Sequence, residues 1–424
     1  MFAKLIQIWK IKDLRKSILF VLAILIVFRI TAHIPIPGVN LESLRKFFES
    51  NEILGLMNIF SGGGMSNFSV AMLGLGPYIT ASIIFQLLTM IIPSLEELAK
   101  EGETGYQKIN QYTRLLTVPL AALQAYGMIS LLRASSQTII VQMGSLELLT
   151  AVITITAGSI FLMWIGELIT EKKIGNGISL LIFAGIVAVI PESLQRAIIL
   201  FDPSQITSFV TFAAIAIITV VGIVAVAEAQ RHILVSYARR VRGTRMYGGM
   251  NTYLPIKVNQ AGMIPIIFAI SIIMFPPMVA QFFMQAKSMW ITLASRFVID
   301  VFQNQLFYGI IYFLLVVAFT YFYTFIVFHP DRIAENLQKQ GGFIPGIRPG
   351  RPTARYLNMV TNRIVLTGAL FLGLVAILPL LMRAVTGTQM LAISGASLLI
   401  VVGVVIETVK QIESQLTMRD YEGF

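Results

Sequence analysis

The chain has 424 residues, 56% of them hydrophobic and 12% charged, with a mean hydropathy of +0.79 and a formal net charge of +11. A soluble domain carries roughly 25% charged residues, so too few are present to cover a water-facing surface, which excludes a soluble enzyme or binding module. There is no cysteine, which excludes disulfides and thiolate metal sites, and His33, His232 and His329 are scattered without ligand spacing.

Ten apolar stretches of about 20 residues, enough to cross a hydrocarbon core of roughly 30 Å, are expected as membrane-spanning α-helices: 17–34, 70–92, 115–132, 148–169, 178–200, 206–227, 261–283, 305–328, 364–386 and 388–407. Lipid offers the backbone no hydrogen-bond partner, and β-barrel strands would be shorter and alternating. The first stretch follows Lys4, Lys10, Lys12, Arg15 and Lys16 and runs to Ile30 with no small-residue cleavage site before His33–Gly38, so it reads as a retained span rather than a signal peptide. Arg29, near its outer end, can snorkel toward the interface.

Before the second span, Gly55–Gly76 carries no charge and contains Gly62, Gly63 and Gly64 in a row. A solvated loop would carry charge, and a spanning helix would not hold three consecutive glycines. The segment reads either as a re-entrant loop packed on the bundle or as a short mobile element folded back into a cavity. Gly175–Asn176–Gly177 is too short for a nucleotide loop and reads as a turn into span 5. The connection between spans 5 and 6 is short, contains Pro191 and Pro203, and divides the chain into halves at residues 1–200 and 201–424. Five spans per half make the second half run inverted relative to the first, a layout that transport proteins use with the pathway between the halves.

Two long basic loops follow, at residues 228–260 and 329–363. In the first, Ile233, Leu234, Val235, Tyr237, Val241, Met246 and Tyr247 interleave with Arg231, Arg239, Arg240, Arg242 and Arg245. Alternation over His232–Tyr237 and the Gly248–Gly249 turn point to a projecting hairpin. In the second, Asp331 to Gln340 reads as a short helix with Pro330 at its start and Gly341–Gly342 at its end. Pro345, Pro349 and Pro352 then stiffen a turn that displays Arg348 and Arg351. With ten spans both termini share one side, and 24 of the 32 Lys and Arg fall there. The positive-inside rule makes that side cytoplasmic. Arginines shown on structured loops exceed what topology needs, so the loops read as docking surfaces; a basic surface attracts acidic protein faces or ribosomal RNA.

Glu167, Glu228 and Glu407 fall at cytoplasmic span ends and Glu147 at an outer one, so the span centres carry no ionisable group. That counts against an ion-coupled carrier. Without a phosphate-binding loop, a carboxylate pair or a nucleophile arrangement within a span, no enzyme activity and no cofactor are expected.

The runs Gly74–Leu88 (GLGPYITASIIFQLL), Glu101–Arg114 (EGETGYQKINQYTR), Gly166–Ile186 (GELITEKKIGNGISLLIFAGI), Leu254–Pro265 (LPIKVNQAGMIP) and Gly341–Thr353 (GGFIPGIRPGRPT) resemble the SecY/Sec61 alpha family, the central channel subunits of the Sec protein translocase. The resemblance runs in order from about Lys12 to Lys410. Lys172–Lys173 stands where the family usually has an Arg–Gly pair, without expected consequence. The glycine-rich Ser61–Gly64 is a local variant of a segment that varies in the family. The resemblance implies an all-α membrane protein whose ten helices form two inverted five-helix halves around a central hourglass pore. It implies a pore ring of Ile79, Ile83, Ile182, Ile186, Ile267 and Ile400. It implies a plug, a short helix over about Met57–Phe68 that includes Met57, Phe60, Gly62, Gly63, Gly64, Met65 and Phe68. A lateral gate would lie between spans 2 and 3 and spans 7 and 8, with Thr80, Ser82 and Gln86 on its span 2 side. Arg239, Arg240, Arg242, Arg245, Arg348 and Arg351 would dock a motor ATPase or ribosome. The implied setting is the cytoplasmic (inner) membrane. The implied partners are the small subunits SecE and SecG, the motor ATPase SecA, the ribosome, signal-bearing preproteins and anionic lipids, with SecDF and YidC as optional ones.

Overall fold

Each of the ten apolar stretches overlaps a helix. The computed structural model describes all residues except 1–8, 51–54, 56–57, 59–60, 135–138, 141–143, 200–205, 238–239, 243–244, 248–250, 285–287, 387–394 and 423–424. The first half holds α1 (Lys12–Thr31), α2 (Leu41–Ser50), α3 (Gly76–Ile91), α4 (Pro93–Lys100), α5 (Glu103–Ala134), α6 (Ser145–Glu171) and α7 (Gly177–Ile199). The second holds α8 (Ile206–Glu228), α9 (Ile264–Phe283), α10 (Met289–Gln303), α11 (Gln305–Val327), α12 (Pro330–Lys339), α13 (Arg351–Thr386) and α14 (Gly395–Glu422). By length and composition α5, α6, α8, α11, α13 and α14 are each long and apolar enough to cross a membrane, and α3 with α4 is a further candidate, bent by 100°. Pro191 lies inside α7 rather than in the connection expected from sequence. Neighbouring helices re-satisfy the backbone groups that a proline frees in a membrane helix.

The second span departs from its expected start at residue 70. Its helix begins only at Gly76, where Pro77 in the first turn suits a helix start. Sixteen residues rise roughly 24 Å, short of the roughly 30 Å core. Ahead of it, residues 61–75 form consecutive turns, and Ser61, Gly64, Met65, Phe68, Ser69, Ala71 and Met72 are buried. Irregular backbone at membrane depth is tolerated only where protein surrounds it, and here it does. The re-entrant, packed reading of this segment fits these residues.

Two apolar clusters hold the bundle. The inner one joins α1, α6, α7, α9, α11, α13 and α14. The outer one packs Leu44 and Phe48 of α2 on Met65, Phe68 and Met72 of the turn segment and on α5 and α6. α2 is amphipathic: it buries those two side chains and exposes Glu42, Arg45 and Lys46, and the Asn40 carboxamide oxygen caps its first turn. Glycines permit the closest crossings. A Cβ on Gly158 of α6 would sit 2.0 Å from the Val70 carbonyl oxygen, and one on Gly177 would sit 1.8 Å from the Gly166 carbonyl oxygen.

At the basic end, β1 (Gln230–Tyr237) pairs antiparallel with β4 (Asn251–Lys257), as the hairpin reading requires, and β2 (Arg240–Arg242) pairs with β3 (Arg245–Tyr247) toward its tip. β5 (Gly342–Phe343), from the second loop, adds to the other edge of β1, so the sheet order is β4-β1-β5. The two basic loops therefore form one platform. Beneath it Ile233, Ile256, Ile344 and Leu357 are buried together. α12 starts at Pro330 and gives way to Gly341 in the left-handed region (φ 74°), close to the expected helix.

Ion pairs tie the C-terminal ends of α6 and α8 to neighbouring helices: Glu167 to Arg114 of α5 and Glu228 to Lys410 of α14, each at 2.6 Å. Both are partly exposed, which limits each to about 0–1 kcal/mol. Lys173 adopts φ 57°, and its carbonyl accepts from the Gln415 carboxamide. The family's usual glycine fits that conformation freely, whereas a side chain there costs roughly 1–2 kcal/mol. The Lys-for-Gly exchange therefore has a conformational cost that sequence comparison of the pair alone did not suggest.

Candidate functional site

Helix contacts link the two halves of the chain. α9 packs against α3 and α5, and α14 packs against α7. The implied ring residues come from these helices. Ile182 and Ile186 of α7 and Ile400 of α14 are buried in the inner cluster, and Ile79 of α3 and Ile267 of α9 pack against it. Ile400 has no accessible surface at all. Ile83 is buried on α3 but lies outside that cluster. Ile79, Ile83 and Gln86 follow helical spacing along one side of α3.

A cavity of about 100 Å³ lies where α3, α5, α7 and α9 meet the turn segment. Ile79, Ile182 and Ile267 line it, with Ser61 and Met65 from the turns. Its polar lining is Thr80, Gln124, Ser271 and Ser61, and no lining residue is charged. Of the three expected gate residues, Thr80 faces this cavity. Its hydroxyl also donates to the Gly76 carbonyl at 3.0 Å. Ser82 is half-buried and does not line the cavity. The side-chain oxygen of Gln86 is buried with no hydrogen-bond partner, which is costly in a static apolar setting. Gln124 and Ser271 were not singled out from sequence. Gln124 had a signal, being a lone carboxamide within the apolar stretch 115–132.

The implied plug is partly described. Met57 and Phe60 lie outside the described residues. Gly55 and Asn58 are helical, but from Ser61 onward the chain runs in turns rather than in the short helix the resemblance implies. Gly62 and Gly63 take positive φ (68° and 82°). A Cβ on Gly62 would meet Gly185 of α7 and the Phe28 ring, each at 3.1 Å, so the turn lies tight against α7 one residue from Ile186. Arg29 of α1 donates from its guanidinium to the Gly62 carbonyl, so it turns inward to the glycine segment where snorkelling was expected. The C-terminal part of the segment is fixed differently. Phe68 and Met72 are fully buried in the outer cluster, Ile36 N–H donates to the Phe68 carbonyl at 2.9 Å, and Arg45 donates to the Asn67 side chain at 3.0 Å.

At the basic end Arg348 and Arg351 are exposed. Gly346 and Gly350, at φ 82° and 94°, shape the turn around Arg348, and the Arg348 carbonyl accepts from the Thr353 hydroxyl at 2.9 Å. Ile347, next to it, packs into the platform's apolar cluster. Arg239 lies outside the described residues. The β2-β3 register pairs Arg240 with Tyr247 and Arg242 with Arg245.

The comparisons with known proteins agree. Residues 69–409 match the SecY family model. The chain is 46% identical to the protein translocase subunit SecY of Mycobacterium tuberculosis (strain ATCC 25618 / H37Rv), over 97% of both chains. It is also 46% identical to that of Streptomyces galbus, again over 97% of both. Among solved structures, a protein conducting channel aligns with a TM-score of 0.61 at 16% identity, covering 93% of this chain and 90% of that one. Sec61 in a canine ribosome-channel complex from the endoplasmic reticulum aligns with a TM-score of 0.58 at 16% identity, with the same coverage. These structural likenesses carry the fold, and the sequence relatives carry the family: the chain belongs to the SecY family.

Proposed function

We propose that the chain is the channel subunit of a protein translocase in the cytoplasmic membrane, with both termini cytoplasmic. It passes unfolded secretory proteins across and releases apolar segments sideways into lipid. The observation that carries this reading is the convergence of Ile79, Ile182, Ile186, Ile267 and Ile400, from four helices of both halves, beside a cavity with no charged lining. A pathway for chains of any sequence has no use for a specific binding group. A flexible apolar constriction fits varied side chains and impedes ions by dewetting. The burial of Ile400 supports a constriction that rests shut.

The sideways exit is the α3/α5 contact with α9, where Thr80, Gln124 and Ser271 reach the cavity. Transfer of a few tenths of a kcal/mol per apolar residue drives a signal sequence or helix out through it. The motor ATPase SecA or a ribosome docks on the fused basic platform, and SecE and SecG pack on the bundle. A secondary transporter is the alternative from another class, and it needs a charged or ion-coordinating group at mid-depth. The deciding experiment is reconstitution. Protease-protected preprotein should accumulate in proteoliposomes only with chain, motor and ATP together; uptake of a small solute by the chain alone, without protein translocation, overturns the reading.

Within the proposed plug, Gly62 is held by Arg29 and by contact with α7, whereas Met65, Phe68 and Met72 belong to a packed core. Replacing residues 57–64 by a short flexible linker is expected to raise the resting ion conductance several-fold in planar bilayers, with the outer core intact. Unchanged conductance from a folded variant argues against a stopper.

A further inference from the structure

The channel reading makes no use of α10. It sits on the outer side between α9 and α11, and its three sides differ in chemistry. One side packs on the protein: Ser295 is buried, and Phe302 packs against the inner cluster and meets the Phe307 ring edge-on at 5.8 Å. A second side is apolar yet open. Trp290 is 84% and Phe297 70% exposed. Seven residues make nearly two helical turns, so Trp290 and Phe297 lie within about 20° of each other around the axis. The third side carries exposed Arg296 and Asp300, one turn apart and centred roughly a quarter-turn from the aromatic pair.

A helix immersed in water gains nothing from exposing a tryptophan and a phenylalanine on one line. A helix buried in a protein interface would not set an arginine and an aspartate beside them. The combination of protein, apolar and charged sides suits a boundary between hydrocarbon and water. The adjoining surface agrees. α11 starts one residue after α10 ends, capped by the Asn304 side chain, and exposes Leu306, Ile310 and Leu314 at four-residue spacing. That stripe is the lipid-facing side expected of a span.

We propose that α10 lies in the plane of the outer leaflet, with Trp290 and Phe297 inserted at the boundary between acyl chains and headgroups and Arg296 and Asp300 among the headgroups. Its occupant is lipid, in keeping with the preference of tryptophan for that depth. The helix then fixes how α9 and α11 stand in the bilayer, independently of what the channel carries.

The absence of cysteine makes the test direct. Phe297→Cys and Asp300→Cys are made separately in the full chain, labelled with an environment-sensitive nitrobenzoxadiazole dye and reconstituted in vesicles of phosphatidylcholine and phosphatidylglycerol. The label at 297 is expected to emit to the blue and to be quenched by nitroxide lipid at least about threefold more than by aqueous iodide, with the reverse at 300. Equal iodide quenching at both positions places the helix in water and overturns the proposal. Protection of position 297 from both quenchers means that protein covers this side and overturns it equally. Should Phe297→Cys fail to fold, Trp290→Cys reports on the same side.

Discussion

Arg348→Glu is expected to abolish motor-driven translocation while the chain stays folded. The residue is exposed on a turn that Gly346 and Gly350 shape and that the Thr353 hydroxyl fastens through the Arg348 carbonyl. None of these supports involves the guanidinium, so removing it leaves the turn in place. A planar guanidinium held out on a stiff turn makes paired hydrogen bonds to a partner's carboxylate with little loss of freedom. A carboxylate in its place sets like charges together, which costs several kcal/mol at an interface, so docking weakens by roughly a hundredfold or more. The measurement is ATP-driven translocation of a preprotein into proteoliposomes, beside thermal unfolding in detergent. Wild-type translocation by Arg348→Glu would sink the docking role, and parallel loss of stability and transport would reduce the residue to a structural one.

Ile400→Asn is expected to make the channel permissive. Ile400 is fully buried among Ile182, Ile186 and their neighbours. An asparagine there leaves a carboxamide without a partner while the constriction is shut, a penalty of about 1–3 kcal/mol. Opening and wetting the constriction relieves that penalty. The balance therefore shifts toward the open channel by roughly ten- to a hundredfold. Export of a preprotein with a defective signal sequence should rise, together with resting ion conductance. If neither rises in a variant that inserts normally, Ile400 does not close the pathway.

Much of the architecture was readable from the chain because its signals are local. Runs of about 20 apolar residues located the ten helices, Pro330 and Gly341 bracketed α12, and alternation over His232–Tyr237 marked β1. The isoleucines proposed for the constriction were not readable in that way. Ile79, Ile182 and Ile400 sit among other aliphatic residues, so no periodicity separates a side chain turned to the centre from one turned to lipid, and only the resemblance picked them out. Contacts between distant segments were also hidden. A two-residue strand such as β5 carries no pattern, and Gly158 gives no sign that it makes room for the Val70 carbonyl. The Leu44 and Phe48 packing on Met65, Phe68 and Met72 needs α2 folded across that segment. Arg29 looked like a snorkelling charge because its partner, a glycine carbonyl 33 residues away, has no side chain to announce itself.

The pairing of β5 with β1 has a mechanical consequence. α13 starts at Arg351, three residues beyond Arg348, and continues for 36 residues, a rod of roughly 54 Å. A load applied at the Arg348 turn enters that rod at its head. The β1 ladder passes part of the same load to Gln230, two residues from the end of α8. A partner pressing on this face would therefore load α8 and α13 together, through the two-residue step Ser236–Phe343 and Tyr237–Gly342 and the apolar cluster of Ile233, Ile256, Ile344 and Leu357 beneath it.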